Sequence, residues 1–222
     1  MIIVRPLIDV LGKIIKLPKN SYLDPTTLGS GTPSSSNWLR GDGVWASITP
    51  GPTNYGLYTQ TASSTPVTNT TVETSLLDGG VGVLTVPANG FSVGDSFHAI
   101  LTGHISAVNN HNLRIRIKTG SVVLSDTGNI TMAGSTNKHW KLEVYFTVRT
   151  LGVAGVASIA SGGTFVYTKD ASNSFEGTNF STELSSGFDT TISNTLEITA
   201  EWDTANVLDS IYSEIFTLNK TY

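Results

Sequence analysis

Apolar and polar residues alternate one by one along much of the chain after residue 95. Between Asp95 and Val108, Phe97, Ala99, Leu101, Gly103 and Ile105 fall on one side, and His98, Ile100, Thr102, His104 and Ser106 on the other. Leu113, Ile115 and Ile117 alternate with Arg114, Arg116 and Lys118. Trp140, Leu142, Val144, Phe146 and Val148 share a face, as do Leu196, Ile198, Ala200 and Trp202. A period of two marks a strand with one buried face. Shorter strands are predicted at Gly56–Thr61, Val67–Leu77, Gly82–Val86, Ser121–Ser125, Val156–Ala160, Thr164–Thr168 and Ser210–Leu218. Roughly ten strands, with no helical pattern after residue 20, predict an all-β antiparallel sandwich head over residues 56–222.

Two segments of that head break the simple pattern. The stretch from Lys169 to Thr191 is rich in Ser, Asn and Gly, with Phe175, Phe180 and Phe188 spaced through it. It reads as a long crossover or a binding loop, and Phe175 and Phe180 become candidate receptor contacts. On the last strand, strict alternation puts Ile211 and Ile215 on one face and Tyr212, Phe216 and Leu218 on the other. A strand apolar on both faces needs cover on both. The expected cover is another subunit, with Tyr212, Phe216 and Leu218 at a trimer interface.

The first 24 residues are different. After Pro6, Leu7, Ile8, Leu11, Ile14 and Ile15 have helical spacing. Their β-branched content equally supports a hairpin, Leu7–Leu11 against Lys13–Leu17, turning at Gly12. Both forms stay open. Either apolar face is too small to fold alone, so the segment is expected to dock on a capsid surface or on its trimer mates. Residues 25–55 are crowded with Gly, Pro and Ser, yet contain Trp38 and Trp45. Two tryptophans in a turn-rich stretch predict a collar packed on a neighbour rather than a plain linker.

Composition narrows the function. Only 14% of residues are charged, against roughly 25% in ordinary domains. The net charge is -4, and no basic stripe tracks a phosphate backbone, so nucleic acid is not an expected partner. The chain has no cysteine, which excludes disulfides, thiol catalysis and cysteine-bound zinc. No apolar run approaches the roughly 18 residues of a membrane span, and membrane insertion is not expected. Arg5, Asp9, Lys13 and Lys16 interrupt the apolar start, unlike the core of a secretory signal.

Candidate chemistry is sparse. His98 and His104 share a strand face six residues apart, roughly 20 Å, too far for one metal. The densest carboxylates are Glu183, Asp189, Glu197, Glu201 and Asp203. A glycosidase needs two of them about 5–10 Å apart in a cleft, and Glu197 and Glu201 do share a face. They flank an apolar stripe, however, and are expected to face solvent. No G-x-S-x-G, H-E-x-x-H or P-loop is present. The expectation is a non-enzymatic chain with no cofactor and no metal.

Residues 31–45 read G-T-P-S-S-S-N-W-L-R-G-D-G-V-W. This segment resembles a short motif of phage, giant-virus and virophage fibre proteins, where it commonly precedes a trimeric head. Thr-Val-Pro-Ala-Asn-Gly-Phe-Ser-Val-Gly-Asp-Ser-Phe, from Thr85 to Phe97, and the closing strand from Ile211 to Tyr222 resemble a jelly roll of the tumour-necrosis-factor or C1q type. The resemblance implies a virion spike or short fibre: residues 1–24 a capsid-docking anchor, 25–55 a collar, and 56–222 a jelly-roll-like head. It implies a homotrimer attached through its N-terminus to a major capsid, vertex or tail protein, with the head contacting a host surface glycan or protein. Arg40-Gly41-Asp42 also spells the integrin tripeptide, but Gly41 and Gly43 make it a tight turn in which Arg40, Asp42, Trp38 and Trp45 are candidate contacts between chains. The alternatives are a capsid cement or minor capsid protein without a receptor, and a carbohydrate-active enzyme on a β scaffold.

Overall fold

The computed structural model describes residues 7–8, 14–15, 28–34, 37–39, 41–47 and 55–222. The chain divides into two units, Met1–Gly51 and Pro52–Tyr222.

In the first unit, β1 (Leu7–Ile8) pairs antiparallel with β2 (Ile14–Ile15), Leu7 opposite Ile15 and Ile8 opposite Ile14. Of the two forms open for this segment, the ladder is a hairpin's. Leu11 and Gly12 lie outside the described residues. A second hairpin joins β3 (Asn37–Leu39) to β4 (Trp45–Ser47), with Leu39 opposite Trp45.

The second unit runs through β5 (Tyr55–Gln60), β6 (Val67–Thr68), β7 (Thr74–Ser75), β8 (Gly80–Gly82), β9 (Thr85–Val86), β10 (Ser96–Ala107), β11 (Asn112–Thr119) and β12 (Val122–Asp126). It continues through β13 (Ile130–Thr131), β14 (Ser135–Thr150), β15 (Ser158–Thr168), β16 (Phe175–Leu184), β17 (Asn194–Trp202) and β18 (Ser210–Lys220). The larger sheet has the order β16-β15-β14-β10-β18-β5-β8, with β6 also on β18. The smaller has the order β12-β11-β17-β7, with β13 on β11 and β9 on β17. The sheets pack as an antiparallel, jelly-roll-like sandwich, and the described residues contain no helix.

The core follows the predicted alternation. Phe97 to Ala107, Leu113 to Ile117, Trp140 to Val148 and Leu196 to Trp202 bury every second residue between the sheets. Two tryptophans are enclosed with their N–H groups satisfied, as burial demands. Trp140 Nε1 donates to the carbonyls of His104 and Tyr212, each 3.1 Å away, and Trp202 Nε1 to Val67 O at 3.0 Å.

Five expectations change. Gly82–Val86 is not one strand: β8 ends at Gly82 and pairs with β5 on the larger sheet, whereas β9 pairs with β17 on the smaller. Val67–Leu77 is not one strand: β6 lies on the larger sheet and β7 on the smaller, so this segment crosses between them. Val156–Ala160 and Thr164–Thr168 fuse into β15, because Gly162 and Gly163 carry the strand where side chains have no room. A Cβ on Gly163 would stand 2.3 Å from Glu143 O. The stretch Lys169–Thr191 is no loop, since β16 occupies its centre and pairs along its length with β15.

The fifth correction concerns the last strand. Thr102 pairs with Ile215, but the next residue, Gly103, pairs with Ser213, so Glu214 is an extra residue that bulges out. A bulge reverses the faces beyond it. Phe216 and Leu218 therefore enter the sandwich's own core, 0% and 4% exposed, and are not available to the expected trimer interface. Ile215 is turned outward at 56% exposure. Tyr212, before the bulge, keeps its outward direction and is half-buried.

Candidate functional site: the outer face of the larger sheet

The outward residues of β10, β14 and β18 form a continuous polar and aromatic face. Its first cluster is built on the cross-strand pair His98 and Tyr145. Their rings stack at 4.4 Å with 2° between planes. Glu143 gathers three partners: Lys141 Nζ at 2.5 Å, Tyr145 Oη at 2.5 Å and His98 Nε2 at 2.9 Å. The Lys141 and Tyr145 hydrogen bonds, helped by His98, outweigh its burial and hold its pKa at about 2. The same carboxylate, accepting the phenol's hydrogen, pushes the Tyr145 pKa up.

The second cluster lies further along β10. His104 Nδ1 stands 2.9 Å from Glu214 Oε2, so the bulged residue supplies its partner. The His104 ring lies between those of His139 and Tyr212, with centroids 5.7 and 6.0 Å away. Ile100, Thr102, Ile215 and Thr217 lie between the two clusters in register. Ile215 and Tyr145, at 56% and 52% exposure, stand proud of the sheet. Large apolar and aromatic groups ringed by hydroxyls and imidazoles suit a contact surface. Among the described residues, no group of three or more His, Asp or Glu is arranged to hold a metal.

The outer face of the smaller sheet has a different character. Arg114 grips Asp126, Arg116 reaches Glu201 at 2.5 Å and Glu73 at 3.0 Å, and Lys118 reaches Glu73 at 2.8 Å. Burial opposes ionisation of Glu73, but hydrogen bonds from Lys118 and Thr199 and the Arg116 charge outweigh it and hold its pKa down. Burial likewise opposes the Asp126 carboxylate, and the Arg114 bond, the Gly128 N–H and the nearby arginine charges hold it down. These charges satisfy one another within the sheet.

The carboxylates considered for hydrolysis are mostly engaged in structure. Glu201 belongs to the arginine network, and Glu197 lies opposite Lys118 in register. Glu183 pairs with Arg149 at 2.7 Å, Asp189 accepts the Thr191 N–H and hydroxyl, and Asp203 accepts the Asn112 N–H and amide. His98 and His104 do share the outer face, each with its own glutamate. Phe175 and Phe180 do not form a loop surface. On β16 they point to opposite sides, Phe175 at 79% exposure and Phe180 packed on the core.

Within the 31–45 motif, Gly41 and Asp42 form a turn between β3 and β4. Asp42 Oδ1 accepts the Val44 N–H at 3.2 Å, and Gly43 has a φ of 78°. Ser30 N donates to Gly43 O at 2.9 Å, and Trp45 N donates to Ser30 O at 2.8 Å. Gly29 is required there, since a Cβ would stand 2.2 Å from Gly43 O. Trp45 is half-buried, and Trp38 pairs with Ala46 through the ladder. Arg40 lies outside the described residues, as do the side chains of Leu7, Ile8, Ile14 and Ile15.

The alternation that puts Trp140 to Val148 on the core face leaves Lys141, Glu143 and Tyr145 outward, but assigns them no role. Their alternate positions are legible in the sequence, but the register that sets Tyr145 opposite His98 is not. No protein-family model, no curated protein and no solved structure matches this chain.

Proposed function

We propose that this chain is a structural virion protein: a homotrimeric spike or short fibre whose sandwich is the head and mediates host attachment. The supporting observation is the contrast between the two outer faces. The smaller sheet neutralises its charges internally, whereas the larger presents Tyr145, Ile215, Ile100 and Tyr212 among hydroxyls and histidines. A face with protruding apolar and aromatic groups, whose neighbouring charges are paired as in Lys141–Glu143 and His104–Glu214, is suited to burial against other copies. With Phe216 and Leu218 in the core, the trimer interface moves to Tyr212, Ile215 and Ile100.

The fibre-like motif supports the collar assignment, because Gly31 and Gly43, both at positive φ, and Asp42, which accepts the Val44 N–H, shape the backbone there. In this reading the Leu7–Ile15 hairpin docks to a capsid, vertex or tail protein, and the rim of the head meets a host glycan or protein. No catalytic role is assigned, since four of the five acids considered for hydrolysis are held by cations, hydroxyls or backbone.

Virions whose copy of this protein lacks residues 52–222 test the proposal. Lost adsorption with intact particles supports attachment. Normal adsorption with fragile particles assigns the chain to capsid cement instead.

A further inference from the structure

The two ends of the sandwich are filled differently. At one end, Trp140, Trp202 and Tyr167, each at most 1% exposed, occupy the space between the sheets. At the other, where β10 begins and β11 and β18 end, a cavity of about 110 Å³ remains. Four phenylalanines build an aromatic wall. Phe97 stacks on Phe146 at 5.3 Å, and Phe91 meets Phe97 and Phe188 edge-on at 6.2 and 5.7 Å. Leu124 and Leu196 from the smaller sheet and Ile159 and Leu218 from the larger complete it.

The polar groups in the lining are committed elsewhere. Thr119 Oγ1 donates to Asn194 Oδ1 at 3.1 Å, and Asn194 Nδ2 donates to the carbonyls of Asp189 and Ile192. Thr85 Oγ1 is 2.7 Å from Thr195 Oγ1. No charged residue lines the cavity. A sugar or a peptide would find its own hydrogen bonds unmatched here, at a full desolvation cost. An apolar guest has no such requirement. The lips are Leu57 and Leu84, half-buried, and Val83, 59% exposed, so the cavity has a route to the surface.

We infer that this cavity is a binding site for a small uncharged apolar ligand, a single aromatic ring or a short alkyl chain. An apolar cavity of about 150 Å³ accepts benzene, and this one is close to that size. The inference does not depend on the attachment role, because the site lies within one protomer.

Titration of the methyl-labelled full chain with toluene, hexane and glucose, followed by NMR, tests it. Toluene and hexane are expected to give saturable shifts confined to Leu57, Leu84, Leu124, Ile159, Leu196 and Leu218, and to raise the melting temperature. Leu196→Trp, which fills the space, is expected to abolish those shifts. Phe91→Ala, which enlarges the cavity at its aromatic wall, is expected to retain toluene and to admit naphthalene, and this keeps the site testable if Leu196→Trp does not fold. Non-saturable shifts, shifts centred on exposed Val207 and Leu208, or equal shifts with glucose would overturn the inference.

Discussion

Gly103 lies so close to Tyr212 that a Cβ on the glycine would stand 2.0 Å from the Tyr212 carbonyl oxygen. This approach sits beside the Glu214 bulge, and the bulge decides which residues of the last strand face the core. A side chain at position 103 must push the two strands apart. Gly103→Ala is expected to destabilise the fold by about 1–3 kcal/mol, the usual cost of overpacking. Gly134→Ala, where the nearest atom is an ordinary 3.8 Å away, is expected to stay within about 0.5 kcal/mol. Urea unfolding of both variants checks the difference.

Glu143 links the face to pH. Its folded pKa is lowered from 4.5 to about 2, so its contribution is complete above the unfolded value. That contribution is lost as pH falls from about 5 towards 2. Glu143→Gln is expected to be less stable than the wild type at neutral pH, with the gap closing across that window. Because the group is partly solvated, the gap is expected to be modest, about 1 kcal/mol or less. Melting temperatures of both proteins at steps between these pH values check it.

Asp209 is fully buried and accepts the Val108 N–H at 2.7 Å and a bond from His111 Nδ1 at 2.6 Å. It joins the turn after β10 to the approach to β18. Asp209→Ala leaves both donors without their acceptor and is expected to cost about 3 kcal/mol. Hydrogen exchange of the Val108 amide is expected to rise by far more than that of Leu101, in the middle of the same strand.

The core was legible in the sequence because alternation reports a half-buried strand directly. Phe97, Leu142, Ile117 and Ile198 all lie where the pattern put them. The last strand was misread at one residue. Nothing in Ser213-Glu214-Ile215 marks an inserted position, and the register shift shows only against Thr102 and Gly103 on the neighbouring strand. β16 was hidden for another reason: at the sheet edge its residues alternate only between exposed and half-buried, and Ser, Thr and Asn satisfy both. The Glu143 cluster depends on cross-strand register, which no single strand reveals.

In the proposed spike, the larger sheet's outer face is buried between three copies of this chain. Sedimentation equilibrium of the purified full chain at micromolar concentration tests it most directly. The account predicts three times the chain mass, reduced to one chain by Ile215→Lys with the far-ultraviolet dichroism unchanged. A wild-type chain that stays monomeric under the same conditions would contradict it.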